Sequence, residues 1–252
     1  MSDWNPDQYQ KFQLERSQPA YDLMDLIGPR NSMRIVDLGC GSGEHTKTLH
    51  ERFHSIETVG IDNSEGMLAK APRAANLRFV RADIREFGGE GEFDLIFSNA
   101  ALQWVPGHED LFTRFRRALR PGGQIAIQIP KNGDHPAHNV AYKLEQEPPY
   151  NQYPGCPIDE NVLPPEGYAT LLYRLGFRSI KVRMSIYMHE LPQGSDAAEW
   201  LKGSMLNHYK AVQPAEVFAL FEREFFNRIE RLLGHEKPYL YTFKRILMHA
   251  VR

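Results

Sequence analysis

The chain has 252 residues, 42% of them hydrophobic and 25% charged, and a formal net charge of −2. That size and composition suit one large or two small domains with a full core. With no basic block the chain lacks the positive surface that grips a phosphate backbone, and no apolar run approaches the roughly 20 residues of a membrane span, so neither nucleic acid nor membrane is an expected partner. Cys40 and Cys156 have no metal-ligand spacing and make no disulfide framework, which fits a reducing cytosol and a protein without a metal site. The opening stretch MSDWNPDQYQKF is polar from its first residue, so no signal peptide is expected.

In chain order, a helix is expected at about 7–27, and a strand–helix alternation begins near residue 34. RIVDL reads as a buried strand and EHTKTLHERF as a helix; ETVGID is a second strand, and SEGMLAKA a short helix that Ser64 can cap. NLRFVRAD and FDLIFSNA supply a third and a fourth strand. HEDLFTRFRRALR reads as a helix with Leu111, Phe112, Phe115 and Leu119 on one face, and PGGQIAIQIP as a turn and a fifth strand. Repeated strand–helix units imply a parallel sheet with helices on both faces.

The pattern then changes. Residues 136–165, which include EPPYNQYPGCP, read as a proline- and tyrosine-rich connection. PPEGYATLLYRLGF is a helix closed by Gly176, and RSIKVRMSIYMHEL alternates as a strand does. Residues 195–233 are mostly helical, with Val217, Phe218, Phe221, Phe225, Ile229 and Leu232 as the apolar stripe, and YTFKRILMHAVR closes the chain as a strand. The simplest architecture is a single α/β domain over residues 1–252, with helical insertions mainly at 131–165 and 190–235.

VDLGCGSGEHT, residues 36–46, joins the first strand to the first crossover helix. Glycines there let the backbone approach a ligand closely, the helix start presents free N–H groups, and open α/β sheets bind ligands at the carboxyl ends of their strands. A nucleotide-like cofactor over strand one is the expectation. The spacing is G-x-G-x-G, with Glu44 where a dinucleotide fingerprint has its third glycine. An acid facing a pyrophosphate is an electrostatic mismatch, so a cationic ligand without phosphates suits the turn better. Asp62 ends the second strand at about the offset where an acid grips ribose hydroxyls.

These residues resemble the class I S-adenosylmethionine-dependent methyltransferases. VDLGCGSG is similar to their first motif, GIDNSEGML to their second, FDLIFSNAALQW to their strand-four motif and LRPGGQIAI to the lead-in of strand five. The resemblance implies a Rossmann-like seven-stranded sheet whose last strand is antiparallel, with helical insertions covering the active site. It divides the domain into an N-terminal helical lid at 1–30, a cofactor-binding core at 31–130, and substrate-covering insertions with C-terminal strands at 131–252. By the same resemblance S-adenosyl-L-methionine is the cofactor. Asp37, Gly39 and Gly41 surround its methionine part, and Asp62 holds the ribose beside Asn63 and Met67. Asp83 and Ile84 flank the adenine, Asn99 lies near the methionyl end, and Arg16 reaches the cofactor carboxylate or the substrate.

A carboxylate acceptor is already ionised at neutral pH and needs no general base, so no catalytic residue is singled out. The strand-four run Ser98-Asn99-Ala100-Ala101-Leu102 lacks the proline pair of enzymes that methylate amines of nucleic-acid bases. A narrower resemblance, carried by DWNPDQYQKFQLERSQPA, SNAALQWVPGHEDLF, IPKN with His138, EWLKGS and FKRIL, is to the trans-aconitate 2-methyltransferases. It implies monoesterification of a small tricarboxylate; a cytoplasmic setting and a monomer or weak dimer are expected beside it. Trp4, Tyr9 and Phe12 would close a lid, and Tyr9, Gln103, His108, His138, Trp200 and Arg245 would contact the substrate. Two positions depart from that family: Asn207, where an arginine is usual, and Lys131, where an acid is usual. A malonyl-thioester carboxyl, a natural-product hydroxyl, and cofactor binding without turnover stay open as alternatives at this level.

Overall fold

The computed structural model describes residues 13–30 and 32–252; the side chains of residues 13–16 and of Asp159 lie outside that description. The start of the expected N-terminal helix falls on the residues not described, and its remainder is α1 (Gln13–Met24), which buries Ala20, Leu23 and Met24. The strand–helix alternation follows as read: β1 (Arg34–Leu38), α2 (Glu44–Arg52), β2 (Glu57–Asp62), α3 (Glu65–Leu68), β3 (Leu77–Arg81), β4 (Phe93–Asn99), α4 (His108–Ala118) and β5 (Leu119–Pro130). Ser64 caps α3, accepting from the Met67 N–H at 3.3 Å.

Downstream lie α5 (Pro136–Leu144), α6 (Ile158–Asn161), α7 (Pro165–Arg174), β6 (Arg178–Leu191), α8 (Asp196–Lys202), α9 (Leu206–Val212), α10 (Ala215–Leu233) and β7 (Tyr239–Val251). The stretch 136–165 is therefore not a plain connection. It opens with α5, which has Pro136 at its first position, where the missing N–H removes no helical bond, and His135 as its cap.

The seven strands form one sheet in the order β3-β2-β1-β4-β5-β7-β6. β1 pairs in parallel with β2 and β4, β4 pairs in parallel with β5, and β7 runs antiparallel to β5, with Pro130 opposite Arg245. The order reverses between β1 and β4, which places the ligand crevice of such a sheet at their carboxyl ends. One face of the sheet carries Val36, Leu38, Ile96, Ile125, Ile127, Ile129, Ile246 and Met248 into a core shared with Leu111, Phe112 and Phe115 of α4 and Tyr168 and Leu172 of α7. Continuous apolar strands are the mark of a sheet buried on both faces.

The described residues divide into two compact units. One comprises Arg16–Pro130, Glu160–Ser185 and Arg245–Arg252 and contains the glycine turn after β1; the other comprises Lys131–Asp159 and Ile186–Lys244, and β6 and β7 each run from one to the other. Within the second unit α10 buries Phe221, Phe225, Ile229 and Leu233, and Phe221 stacks on Tyr209 of α9 at 4.4 Å. A spacing of four residues carries the stripe to Leu233, which is 5% exposed, rather than to Leu232, which is 44% exposed. Leu233→Ala should accordingly cost about 2–5 kcal/mol and Leu232→Ala about 0.5 kcal/mol or less, read from urea unfolding; equal losses would mean the stripe is misplaced.

Candidate active site

β1 ends in a turn that only a few sequences can make. Gly39, Gly41 and Gly43 all have positive φ, at 77°, 57° and 78°. The Gly39 and Cys40 N–H groups both donate to the Ile61 carbonyl, at 2.8 and 3.0 Å, so the turn is tied to the end of β2. A Cβ on Gly39 would sit 2.2 Å from the Ala101 side chain. Any side chain there collides with the loop after β4, and the glycine keeps the mouth of β1 and β4 open. Gly43 then starts α2 in the left-handed conformation.

Two carboxylates flank this turn. Asp62, at the end of β2, accepts the Gly41 N–H through one oxygen and the Ser64 N–H through the other, both at 2.8 Å. Each oxygen keeps a further lone pair, so the carboxylate is fixed in orientation yet able to accept hydroxyls. Asp37 is buried and accepts from Thr46 Oγ1 at 2.7 Å. Burial raises its pKa to about 7, the Thr46 bond opposes the rise, and the nearby Asp62 charge adds to it. The same surroundings push the Cys40 thiol up, burial first and the Asp37 and Asp62 charges next, so it is no thiolate nucleophile.

The neighbouring positions line up beside the turn. Met67 of α3 carries its methyl 3.2 Å from where a Gly41 Cβ would stand. Arg81 Nε donates to the Asn63 carbonyl at 3.3 Å. Asp83 caps the short 3-10 turn Ile84–Glu86, is held below the usual carboxylate range by hydrogen bonds from Arg85, and stands next to Ile84, which packs on the core. At the end of β4 the Asn99 Oδ1 is buried and finds no partner among the described residues. An acceptor in that state calls for a donor from beyond the described residues, such as a bound ligand. The open glycine turn, the two acids and this orphaned acceptor fit a cationic amino-acid-bearing ligand, as S-adenosylmethionine is.

The register places a polar row on the sheet face opposite the core. Asp37 lies opposite Phe97, and Asn99 lies opposite Gln128 of β5, so strand alternation puts Asp37, Asn99 and Gln128 on one face. Gln128 Oε1 accepts from Arg245 Nη1 of β7 at 3.1 Å, and Arg245 is 5% exposed. Gln103, in the turn after β4, gives its amide N–H to the Ala100 carbonyl at 2.8 Å and leaves its Oε1 buried without a partner among the described residues.

His108 is not free to serve a substrate. Its Nε2 lies 3.0 Å from the Leu102 carbonyl and its Nδ1 lies 2.6 Å from Tyr168 Oη. The Leu102 carbonyl only accepts, so Nε2 carries the proton, Nδ1 accepts the Tyr168 hydroxyl, and that oxygen in turn takes the Leu163 N–H at 3.3 Å. Burial holds the ring below its ordinary pKa and therefore neutral. The substrate contact expected of His108 gives way to a bridge between the strand-four turn and α7.

His138 and Trp200 come together in the second unit. Both rings lie against Phe243, at 6.0 and 6.2 Å, and Trp200 stacks on His189 at 4.6 Å. Burial lowers the His138 pKa to about 3, so the ring is neutral, and its Nδ1 finds no partner among the described residues. Tyr9, Trp4 and Phe12 lie outside the described residues, and so does the Arg16 side chain. Thr46 and Gln128 escaped the sequence reading. Thr46 stands inside the motif already quoted, and Gln128 is a polar residue in the apolar run IAIQIP, a signal that was available. Among the described residues no His, Cys, Asp and Glu cluster could hold a metal ion.

The sheet order, the glycine turn and its paired acids define a class I S-adenosylmethionine-dependent methyltransferase. A methyltransferase-domain family model matches residues 35–123. The YcgJ protein of Bacillus subtilis shares the fold, with a TM-score of 0.63 at 13% identity, covering 93% of this chain and 98% of that one. So does phosphoethanolamine N-methyltransferase 2 of Haemonchus contortus in complex with S-adenosyl-L-methionine, at a TM-score of 0.57 and 17% identity over 93% of this chain and 52% of that one. Trans-aconitate 2-methyltransferase of Deinococcus radiodurans is 40% identical, covering 99% of this chain and 98% of its own, and that of Acidovorax sp. strain JS42 is 36% identical over 100% and 99%. The chain belongs to the trans-aconitate 2-methyltransferase family.

The raised pKa of Asp37 beside the glycine turn predicts pH-dependent binding of a cationic ligand there. Its pKa is raised in the fold, so the stability linked to its protonated form is present below the ordinary carboxylate value and lost as pH rises through about 7. A cationic ligand needs the ionised form. S-adenosylmethionine should thus bind roughly tenfold more weakly at about pH 5.5 than at about pH 7, and Asp37→Asn should flatten that dependence in calorimetric titrations. A wild-type affinity constant across the range would rule out Asp37 as a partner of the cofactor.

Proposed function

We propose that this enzyme esterifies one carboxylate of trans-aconitate or a closely similar small polycarboxylic acid. The reading is carried by Arg245, a buried guanidinium beside the carboxyl end of β5, on the same sheet face as Asn99 and Asp37. Its planar fork of donors matches a carboxylate in two-point geometry, which a lysine cannot reproduce. The names of the two relatives above support the same acceptor.

Bound S-adenosylmethionine supplies a methyl group on a positively charged sulfur. Asp37, Gly39 and Gly41 would hold the methionine part, with Asn99 Oδ1 accepting from its ammonium; Asp62 would hold the ribose, with Asn63 and Met67 beside it, and Asp83 and Ile84 would flank the adenine. Arg16, Tyr9, His138 and Trp200 stay as candidate contacts from the sequence, and Gln103 Oε1 offers an acceptor to a substrate hydroxyl or ordered water. The acceptor oxygen is ionised at neutral pH, so the chain has no proton to remove. Its work is to orient the acceptor and exclude water, and holding reactants in near-attack geometry supplies a large share of a barrier reduction. A cytosolic setting suits this chemistry; neither Cys40 nor Cys156 is in a disulfide, and among the described residues no helix is long and apolar enough to cross a membrane.

Labelled S-adenosylmethionine offered with a panel of di- and tricarboxylic acids, thioester-linked carboxylates and phenols tests the acceptor class, with mass analysis of the product. Methyl transfer to trans-aconitate above the others is expected; transfer only to a thioester-linked acid or a phenol would overturn the reading. Arg245→Lys should raise KM for the polycarboxylate about tenfold or more and leave the cofactor constant within about twofold. Equal effects on both constants would make the arginine structural.

A further inference from the structure

Gln128 has a fixed orientation and an unused donor. The guanidinium of Arg245 carries only N–H groups, so the amide oxygen of Gln128 must be the atom that faces it, at 3.1 Å. The amide nitrogen is therefore turned away from Arg245. That nitrogen is buried and finds no partner among the described residues, on a side chain of zero exposure. Directly opposite in register, on β4, the Asn99 Oδ1 is the mirror case, a buried acceptor without a partner. A donor and an acceptor on adjacent strands that do not satisfy one another are both left for another partner, and each buried polar group left unmade is costly.

We propose that Gln128 is a specificity-determining residue for the acceptor: its Nε2–H donates to a carboxylate oxygen of the substrate that Arg245 also grips. The inference rests on the carboxylate-acceptor reading above and extends it to a second residue. The row Asn99–Gln128–Arg245 then divides its work by chemistry. The acceptor oxygen of Asn99 suits the ammonium of the cofactor, and the donors of Gln128 and Arg245 suit the anion beside it. Gln128 has two tasks, one for each end of its amide. Its oxygen holds the guanidinium in orientation, and its nitrogen adds a neutral donor that a charged residue at this position would not supply. A substrate whose only polar group here is a hydroxyl or a thioester carbonyl meets the same nitrogen without the charge that makes such a bond strong.

Steady-state kinetics of the full chain with trans-aconitate, with cofactor affinity measured alongside, tests this with two variants. Gln128→Met keeps the volume and removes both ends of the amide. Gln128→Glu keeps an oxygen for Arg245 and removes the N–H, and the adjacent guanidinium keeps that carboxylate ionised. Both should raise KM for trans-aconitate roughly 10- to 100-fold, the range for losing a hydrogen bond to a charged group, with cofactor affinity within about twofold of wild type. If Gln128→Met raises KM and Gln128→Glu does not, the side chain only orients Arg245 and the proposal is overturned. Wild-type KM in both variants overturns it as well. A wild-type enzyme that binds the cofactor but turns over no polycarboxylate at all removes the acceptor reading itself, and this inference with it.

Discussion

The structure depends on one backbone constraint: the chain must leave β1 in left-handed conformations, without a Cβ at Gly39, to reach α2. The 2.2 Å approach that a Gly39 side chain would make to Ala101 shows how closely the loops after β1 and β4 converge. That convergence sits where the strand order reverses, the place in such a sheet where a ligand can touch both halves. Asp62 fastens the turn by accepting the Gly41 and Ser64 N–H groups, and it keeps acceptor capacity for a ligand.

From there the sheet separates its tasks by face. Alternate residues of β1, β4, β5 and β7 supply an apolar core on one side and Asp37, Asn99, Gln128 and Arg245 on the other. Because side chains alternate with a period of two, the packing that fixes strand register on the apolar face also fixes which polar groups stand next to one another on the other face. The charges run in a sensible order across it: acids nearest the glycine turn, a neutral amide pair in the middle, and the guanidinium farthest out. A cation and an anion can be met in sequence along that row without placing like charges together.

Much of this was legible in the sequence. The five parallel strands and the Ser64 cap follow from apolar runs and turn residues, which are local signals, whereas the antiparallel direction of the last strand came only from the family resemblance. The glycine turn was legible because it is written in contiguous residues, and so was Asp62 beside it, an acid that closes the second strand at a fixed offset. His108 was not, since its two bonds reach Leu102 and Tyr168, the latter 60 positions away, and nothing near it in sequence announces a buried bridge. The stripe of α10 drifted by one residue for a smaller reason: both Leu232 and Leu233 fit a helical repeat, and only packing selects between them. Gln128 is the instructive case. A glutamine inside an apolar strand was visible, but its meaning needed the register with Asn99 and the contact with Arg245.

A crystal structure of the protein soaked with S-adenosylhomocysteine addresses the central claim most directly. The account requires the methionyl part of that molecule to lie over residues 39–41, with its amino group at Asn99 Oδ1 and its ribose at Asp62. Density for it elsewhere on the chain, or an Asp62 carboxylate with no ribose hydroxyl within hydrogen-bond reach, would contradict it.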